Sequence, residues 1–236
     1  MKKIAPFLIL LMLSFTGMAQ SGTNIFGKDP IIHLENFQKQ RVHFGYYLGF
    51  NSFDFKIDYK DLQATDIVVK KTTGFNVGIV ADLKLQEHID LRFEPGLYYA
   101  KRDLSFPGFT NQVDILREVS STYIHFPLLL KFSSLRTGNI RPYLVGGISS
   151  TLNLSGNSKT KDDNYEQKFR VKPWSSSYEI GFGIDIFSEY FIFSPSIRGL
   201  FGITDELIRD NNPNSPWTGN IDSMKSRAIL INFTFH

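Results

Sequence analysis

The chain has 236 residues, no cysteine, and 26 Lys and Arg against 23 Asp and Glu, a formal charge of +3. The missing cysteine excludes a disulfide framework, a thiolate metal or redox site, and a lipid-anchored lipoprotein, which needs a cysteine just after its signal. The balanced charge excludes the basic footprint of a nucleic-acid binder, and the 22 Phe and 10 Tyr suit strands and membrane interfaces, or a large aromatic core.

In chain order, Met1, Lys2 and Lys3 make a basic start, Ile4 to Phe15 an apolar run, and Gly17 to Ala19 a small-residue cleavage site. This is the pattern of a cleaved signal peptide, expected over 1–19. The apolar run is short of the ~20 residues that a spanning helix needs. Loss of Lys2 and Lys3 lowers the charge from +3 by two, to +1. No later stretch reads as a spanning helix, since Pro127 to Leu130 runs straight into Lys131. Any residence in a membrane must come from strands. Residues 20–40, polar and without period, read as a periplasmic tether, and 41–236 as one barrel domain.

Eight alternating segments follow, each with large apolar residues on one face, as expected where successive side chains point to opposite sides. The first carries Val42, Phe44, Tyr46, Leu48 and Phe50, and the second Phe75, Val77, Ile79, Ala81, Leu83 and Leu85. The third carries Ile89, Leu91, Phe93, Pro95, Leu97 and Tyr99, and the fourth Thr122, Ile124, Phe126, Leu128, Leu130 and Phe132. The fifth has Ile140, Pro142, Leu144, Gly146, Ile148 and Ser150, and the sixth Tyr178, Ile180, Phe182, Ile184 and Ile186. The seventh has Phe191, Phe193, Pro195, Ile197 and Phe201. The last closes the chain with Ile229, Ile231, Phe233 and Phe235.

Connections alternate long and short. Glu87–His88, 134–139 and Ser188–Glu189 are short, while 54–73, 101–120, 154–173 and 204–223 read as long loops. An eight-stranded antiparallel up-and-down transmembrane barrel of the outer-membrane type predicts this asymmetry, with short turns and both termini in the periplasm. A soluble lipocalin-like barrel has no reason for it.

The face opposite the apolar band mixes glycine with isolated charges. Its cations are Lys84, Arg92, Lys131, Arg141 and Arg198, and its anions Asp82, Glu94, Glu179 and Asp185. A near-neutral set suits a lumen whose charges pair across the interior, because an unpaired buried charge costs several kcal/mol. The set is therefore expected to be a structural network, and Ile229, Ile231, Phe233 and Phe235 the lipid face of the closing strand. Pro95, Pro127, Pro142 and Pro195 fall within strands, so each is expected at a bulge or a strand end.

The stretch Glu35 to Asn51, with Val42-His43-Phe44-Gly45-Tyr46-Tyr47-Leu48-Gly49-Phe50, resembles the start of the PorT/SprT family of small outer-membrane barrels. Tyr123 to Phe132, Arg141-Pro142-Tyr143 and Gly181 to Asp185 resemble segments of the wider superfamily that contains PorT. The resemblance covers about residue 35 to the end, and its family-specific part is the first stretch. It implies a component of type IX protein secretion and gliding motility, with other secretion-system proteins as partners. The closing strand resembles the C-terminal signal read by the outer-membrane insertion machinery, although His236 follows the terminal Phe235.

Catalytic readings are weaker. The five histidines show no metal-ligand spacing and no HExxH. His125, with Ser177 and Glu179 on another strand, would suit attack on a lipid ester, set against a hydrogen-bonded lumen histidine. Glu94 and Glu179 as an acid–base pair compete with plain ion pairing to arginine. The reading is therefore a non-enzymatic barrel of the cell outer membrane, without cofactor, contacting lipid and protein. A lipid-modifying enzyme and a passive envelope or adhesion barrel are the alternatives.

Overall fold

The computed structural model describes residues 32–61, 66–109, 111–158 and 160–236. The expected signal peptide (1–19) and the first part of the expected tether (20–31) lie outside the described residues. Among the described residues there are ten strands: β1 (Val42–Tyr59), β2 (Val68–Lys71), β3 (Thr73–Gln86), β4 (Ile89–Phe93), β5 (Gly96–Ser105), β6 (Leu116–Ser133), β7 (Ile140–Asn153), β8 (Trp174–Phe187), β9 (Ile192–Gly202) and β10 (Ile221–Phe235). All pairings are antiparallel.

The pairings form a ring. β1 pairs with β10 from Tyr46↔Phe235 to Tyr59↔Ile221, and with β3 from Val42↔Leu83 to Ser52↔Thr73. β3 pairs with β4 and β5, which together occupy one position, and both pair with β6. From β6 each strand pairs with the next round to β10. Eight positions thus close on themselves, as expected from the sequence, with β2 an added strand beside β5.

Face assignment follows the period of two. Phe44, Leu48, Ile79, Leu144, Ile180 and Phe182 are exposed on the outer wall, while Tyr47, Val80, Tyr98, Leu129, Leu200 and Leu230 are buried inside. Aromatic pairs flank the outer band at both ends: Phe75–Tyr99 and Tyr178–Phe201 toward the long loops, Tyr46–Phe235 and Phe193–Phe233 toward the short turns. Such double girdles mark the two interfaces of a membrane-spanning barrel. The glycines on the inner face make room for rings. A Cβ on Gly78 or Gly96 would collide with the ring or hydroxyl of Tyr47, which lies across the lumen against their backbone.

Three sequence expectations need correction. The region 101–120 is half strand: β5 runs on to Ser105 and β6 starts at Leu116, because the alternation of Tyr98 and Ala100 continues inward through Arg102 and Leu104. β1 likewise runs past Phe53 to Tyr59, and β10 begins at Ile221 rather than after Ser223. The interior is also not merely glycine and charge, because Tyr47, Phe53, Val80, Tyr98, Tyr123, Leu200 and Leu230 form an apolar layer within it.

The prolines sit at ladder gaps, not bulges. Pro95 falls in the break between β4 and β5, and Pro127 lies across from that break, between the rungs Phe93↔Leu128 and Gly96↔His125. Pro195 lies in a gap of the β8–β9 ladder between Gly183↔Ser196 and Ile186↔Phe193. Pro142 follows the last β6–β7 rung, Ser133↔Tyr143, so it fits a strand end. Each missing N–H therefore coincides with a rung that is already absent.

Candidate functional site

The lumen holds a continuous polar chain built from inward positions of six strands. Near the short-turn end Asp185 accepts two hydrogen bonds from Lys131 Nζ (2.9 and 2.8 Å), two from Arg141 (3.2 and 2.9 Å) and one from Ser194 Oγ (2.7 Å). Lys131 Nζ also stands 4.2 Å from the Tyr143 ring centre. Arg92 reaches the same ring at 5.5 Å and clamps Asp82 through Nε (2.7 Å) and Nη2 (2.6 Å). Its Nη1 donates to Glu94 (3.2 Å), Glu94 accepts from Arg198 (2.5 Å), and Arg198 lies 3.4 Å from Glu179. Glu179 then meets His125 Nε2 at 2.7 Å.

All nine sequence-derived positions thus point inward, and eight join this chain directly. Lys84 lines a small cavity of about 20 Å³ at the short-turn end with Asp90, Lys131, Arg141 and Asp185. Asp90 belongs to the same wall and had the right parity to be found. A paired, hydrogen-bonded network of this kind holds its strands in one register. Among the described residues no set of three His, Cys, Asp or Glu side chains is placed to share a metal ion.

The arrangement proposed around His125 is only partly assembled. His125 Nδ1 lies 2.8 Å from Thr151 Oγ1 and Nε2 lies 2.7 Å from Glu179, so both ring nitrogens are engaged. Ser177 Oγ is instead 2.8 Å from Ser149 Oγ. His125 is buried, with Tyr98 packed edge-on at 4.8 Å. On the closing strand, Ile229 and Ile231 are exposed on the outer wall, and Phe233 and Phe235 are half-buried in the aromatic pairs of the short-turn girdle.

The short-turn mouth is covered from below. Residues 37–39 form one 3-10 turn, Phe37 stacks on His43 at 4.1 Å, and His43 Nε2 lies 2.8 Å from the Phe37 carbonyl. His33 N donates to Asn139 (3.0 Å), and Arg136 donates to the His33 carbonyl (2.6 Å). The end of the stretch read as a tether therefore lies against the barrel.

The long-loop end is capped by a second core that sequence reasoning missed. Phe55, Leu104, Phe106, Phe169, Leu207 and Trp217 are buried together with Val119, Val171, Ile221 and Met224. Trp217 stacks on Phe109 at 5.0 Å and donates through Nε1 to the Asp114 carbonyl (3.1 Å). Asp210 ties two loops, accepting from Asn164 Nδ2 (2.9 Å), Thr218 Oγ1 (2.9 Å) and Ser215 Oγ. Beneath this core Arg102, fully buried, donates to Ser226 (3.1 Å) and Tyr123 and lies 3.7 Å over the Phe55 ring. Burial raises the Glu206 carboxyl above the usual range, although Arg102 and the Ser226 hydroxyl and N–H work against the shift. Burial alone would raise Asp205 as well, but the N–H groups of Met224 and Leu207 hold it below its ordinary value.

Only part of this cap had a signal. Asp163 and Glu166 make a capping box, a D-x-x-E spacing visible in the sequence. Arg102 was reachable by carrying the alternation two residues further. Glu206, Asp210 and Trp217 lie in aperiodic loops and had none.

Solved structures similar to this chain include the outer membrane protein OprG from Pseudomonas aeruginosa, at 13% identity over 81% of this chain and 94% of that one, with a TM-score of 0.47. Neisserial surface protein A is similar at 10% identity over 80% and 94%, TM-score 0.41. Outer membrane protein AlkL, determined in lipid bilayers, is similar at 11% identity over 92% and 94%, TM-score 0.41. No protein of curated function matches the sequence. The model of the outer membrane protein beta-barrel domain matches residues 18–207, well over half of the chain. A closed antiparallel ring with an apolar outer band, double aromatic girdle and ion-paired lumen thus goes with a direct family match: the chain belongs to the outer membrane protein beta-barrel domain family and resides in the outer membrane.

Proposed function

We propose that this barrel is a non-enzymatic component required for type IX protein secretion and gliding motility, acting by protein contacts in translocon assembly or support. The observation that carries the reading is the filled interior. The ion-pair chain occupies the lower lumen, an apolar layer the middle, and the Trp217 core the top. A barrel so filled has no channel for a protein or sugar, so its contribution to transport lies in its surfaces. The family resemblance of Val42 to Phe50 supplies the choice of secretion system. Its partners on this reading are other secretion-system proteins, with the insertion machinery engaged during assembly.

The test is a deletion strain complemented with the full chain. Loss of secretion and gliding, restored by complementation, together with co-purification of secretion proteins after crosslinking in native outer membrane, supports the proposal. Normal secretion in the deletion strain overturns it. The lipid-modifying alternative fits less well, because Ser177 bonds Ser149 rather than His125. Altered lipid composition on replacing His125→Ala in a folded barrel would revive it.

A further inference from the structure

The outer wall carries a groove within its lipid band. It measures about 310 Å³ and is lined by Ser52, Gly199, Phe201 and Ile229, with Asp54, Lys71 and Arg227 along its upper rim. The groove exists because β9 lacks an outward side chain at Gly199, which in register faces Ile229 of β10 on one side and Ile180 of β8 on the other. The Phe201 ring lies over Gly199 in the space a side chain there would take, so the groove opens beside that ring toward Ile229. Ser52, opposite Ile229, leaves the other side low.

The charges just above are unusual for a strand pair. Arg227 donates twice to Asp54 (3.0 and 2.8 Å), and Lys71 lies 3.9 Å from the same oxygen. One outward rung higher, Lys56 of β1 and Lys225 of β10 are direct cross-strand partners. Like charges in that position repel and destabilise the pair. Lys56 lies 3.4 Å from Asp58, and among the described residues Lys225 has no carboxylate within ion-pair distance. The patch therefore sets Lys56, Lys71, Lys225 and Arg227 against two carboxylates, Asp54 and Asp58. It lies at the long-loop end, with the lysine pair one outward rung beyond the Tyr178–Phe201 pair of the upper girdle. From the Ser52–Ile229 rung to the lysine pair is four residues, about 13 Å along the strand. That is a headgroup standing above an acyl chain.

We propose that this groove and patch bind a phosphorylated, multiply acylated glycolipid of the outer leaflet, with an acyl chain over Gly199 and Ile229 and a phosphate between Lys56 and Lys225. The apolar groove takes a shape that a chain can fill, and the phosphate offsets the lysine repulsion further than the single carboxylate of Asp58 does. Arg227, already held by Asp54, shapes the rim.

The test uses the full-length barrel in phosphatidylcholine nanodiscs with diphosphoryl lipid A or the same lipid with both phosphates removed, and counts retained lipid by native mass spectrometry. The expected result is at least tenfold preference for the phosphorylated form. Lys56→Gln with Lys225→Gln should abolish the preference, while Gly199→Leu should lower retention of both forms. Heat-modifiable gel mobility confirms that each variant is folded. Equal retention of the two lipids by the unaltered protein overturns the proposal, as does a preference undiminished in the folded double variant. Displacement of the lipid by inorganic phosphate at matching concentration would also overturn it, since the groove would then contribute nothing.

Discussion

Asp185→Leu is the sharpest probe of the lumen network. The carboxylate accepts five hydrogen bonds from Lys131, Arg141 and Ser194, and its loss strands two cations. They are not equivalent. The Lys131 side chain is 3% exposed and the Arg141 side chain 17%, so the arginine can turn toward water at the periplasmic mouth. Stranding the lysine should cost about 3–5 kcal/mol, as for other buried pairs that lose one partner. The arginine should add no more than about 1 kcal/mol, in the range of exposed pairs. Replacing both members, Asp185→Leu with Lys131→Met, removes the unpaired charge and should recover at least about 2 kcal/mol, since apolar isosteres of a buried pair are often neutral. Urea unfolding in lipid vesicles, followed by the fluorescence of Trp174 and Trp217 and by gel mobility, measures Asp185→Leu, Lys131→Met and the double variant. A single-variant cost below about 1 kcal/mol, or additivity of the two changes within about 0.5 kcal/mol, would refute the pairing.

Three further outcomes follow from the geometry. Ile231→Arg places a charge on the lipid face, exposed beside Phe50 and Ile197, and should cost about 2–4 kcal/mol and block assembly; normal insertion of this variant, with Ile231→Leu as control, would invert the facing. Trp217→Ala should loosen the extracellular cap by about 3–5 kcal/mol, seen as protease cleavage within 203–220 while the barrel still shifts on heating. Glu206, outside the membrane, has a raised carboxyl, so the folded state holds its proton more tightly than the unfolded chain does. Cap stability should therefore fall as pH rises from the ordinary carboxylate value through the raised one, and be flat beyond it. Glu206→Gln should remove that slope, and a slope unchanged in the variant would assign it to another group.

Much of the barrel was legible because a strand has a rigid period of two. Once Phe44 and Leu48 face out, Tyr47 and Asn51 must face in, and the same parity carries every strand from one end of the membrane to the other. The lumen positions of Arg92, Glu94, Lys131 and Asp185 follow from parity alone. Their partners do not. Arg198 of β9 reaches Glu94 between β4 and β5, across the lumen, and no spacing along the chain encodes that distance.

The sequence by itself determined the strand alternation, the inward charges and the apolar outer band, because each is set by local periodicity. Tertiary structure alone decided which charges pair, where the four prolines find an already missing rung, and that the outer loops fold into a core around Trp217. It also set Lys56 against Lys225 above a groove at Gly199. These depend on the shear of the closed ring and on loops meeting above it. Closure fixes the contacts between residues far apart in the chain, and a local pattern cannot specify them.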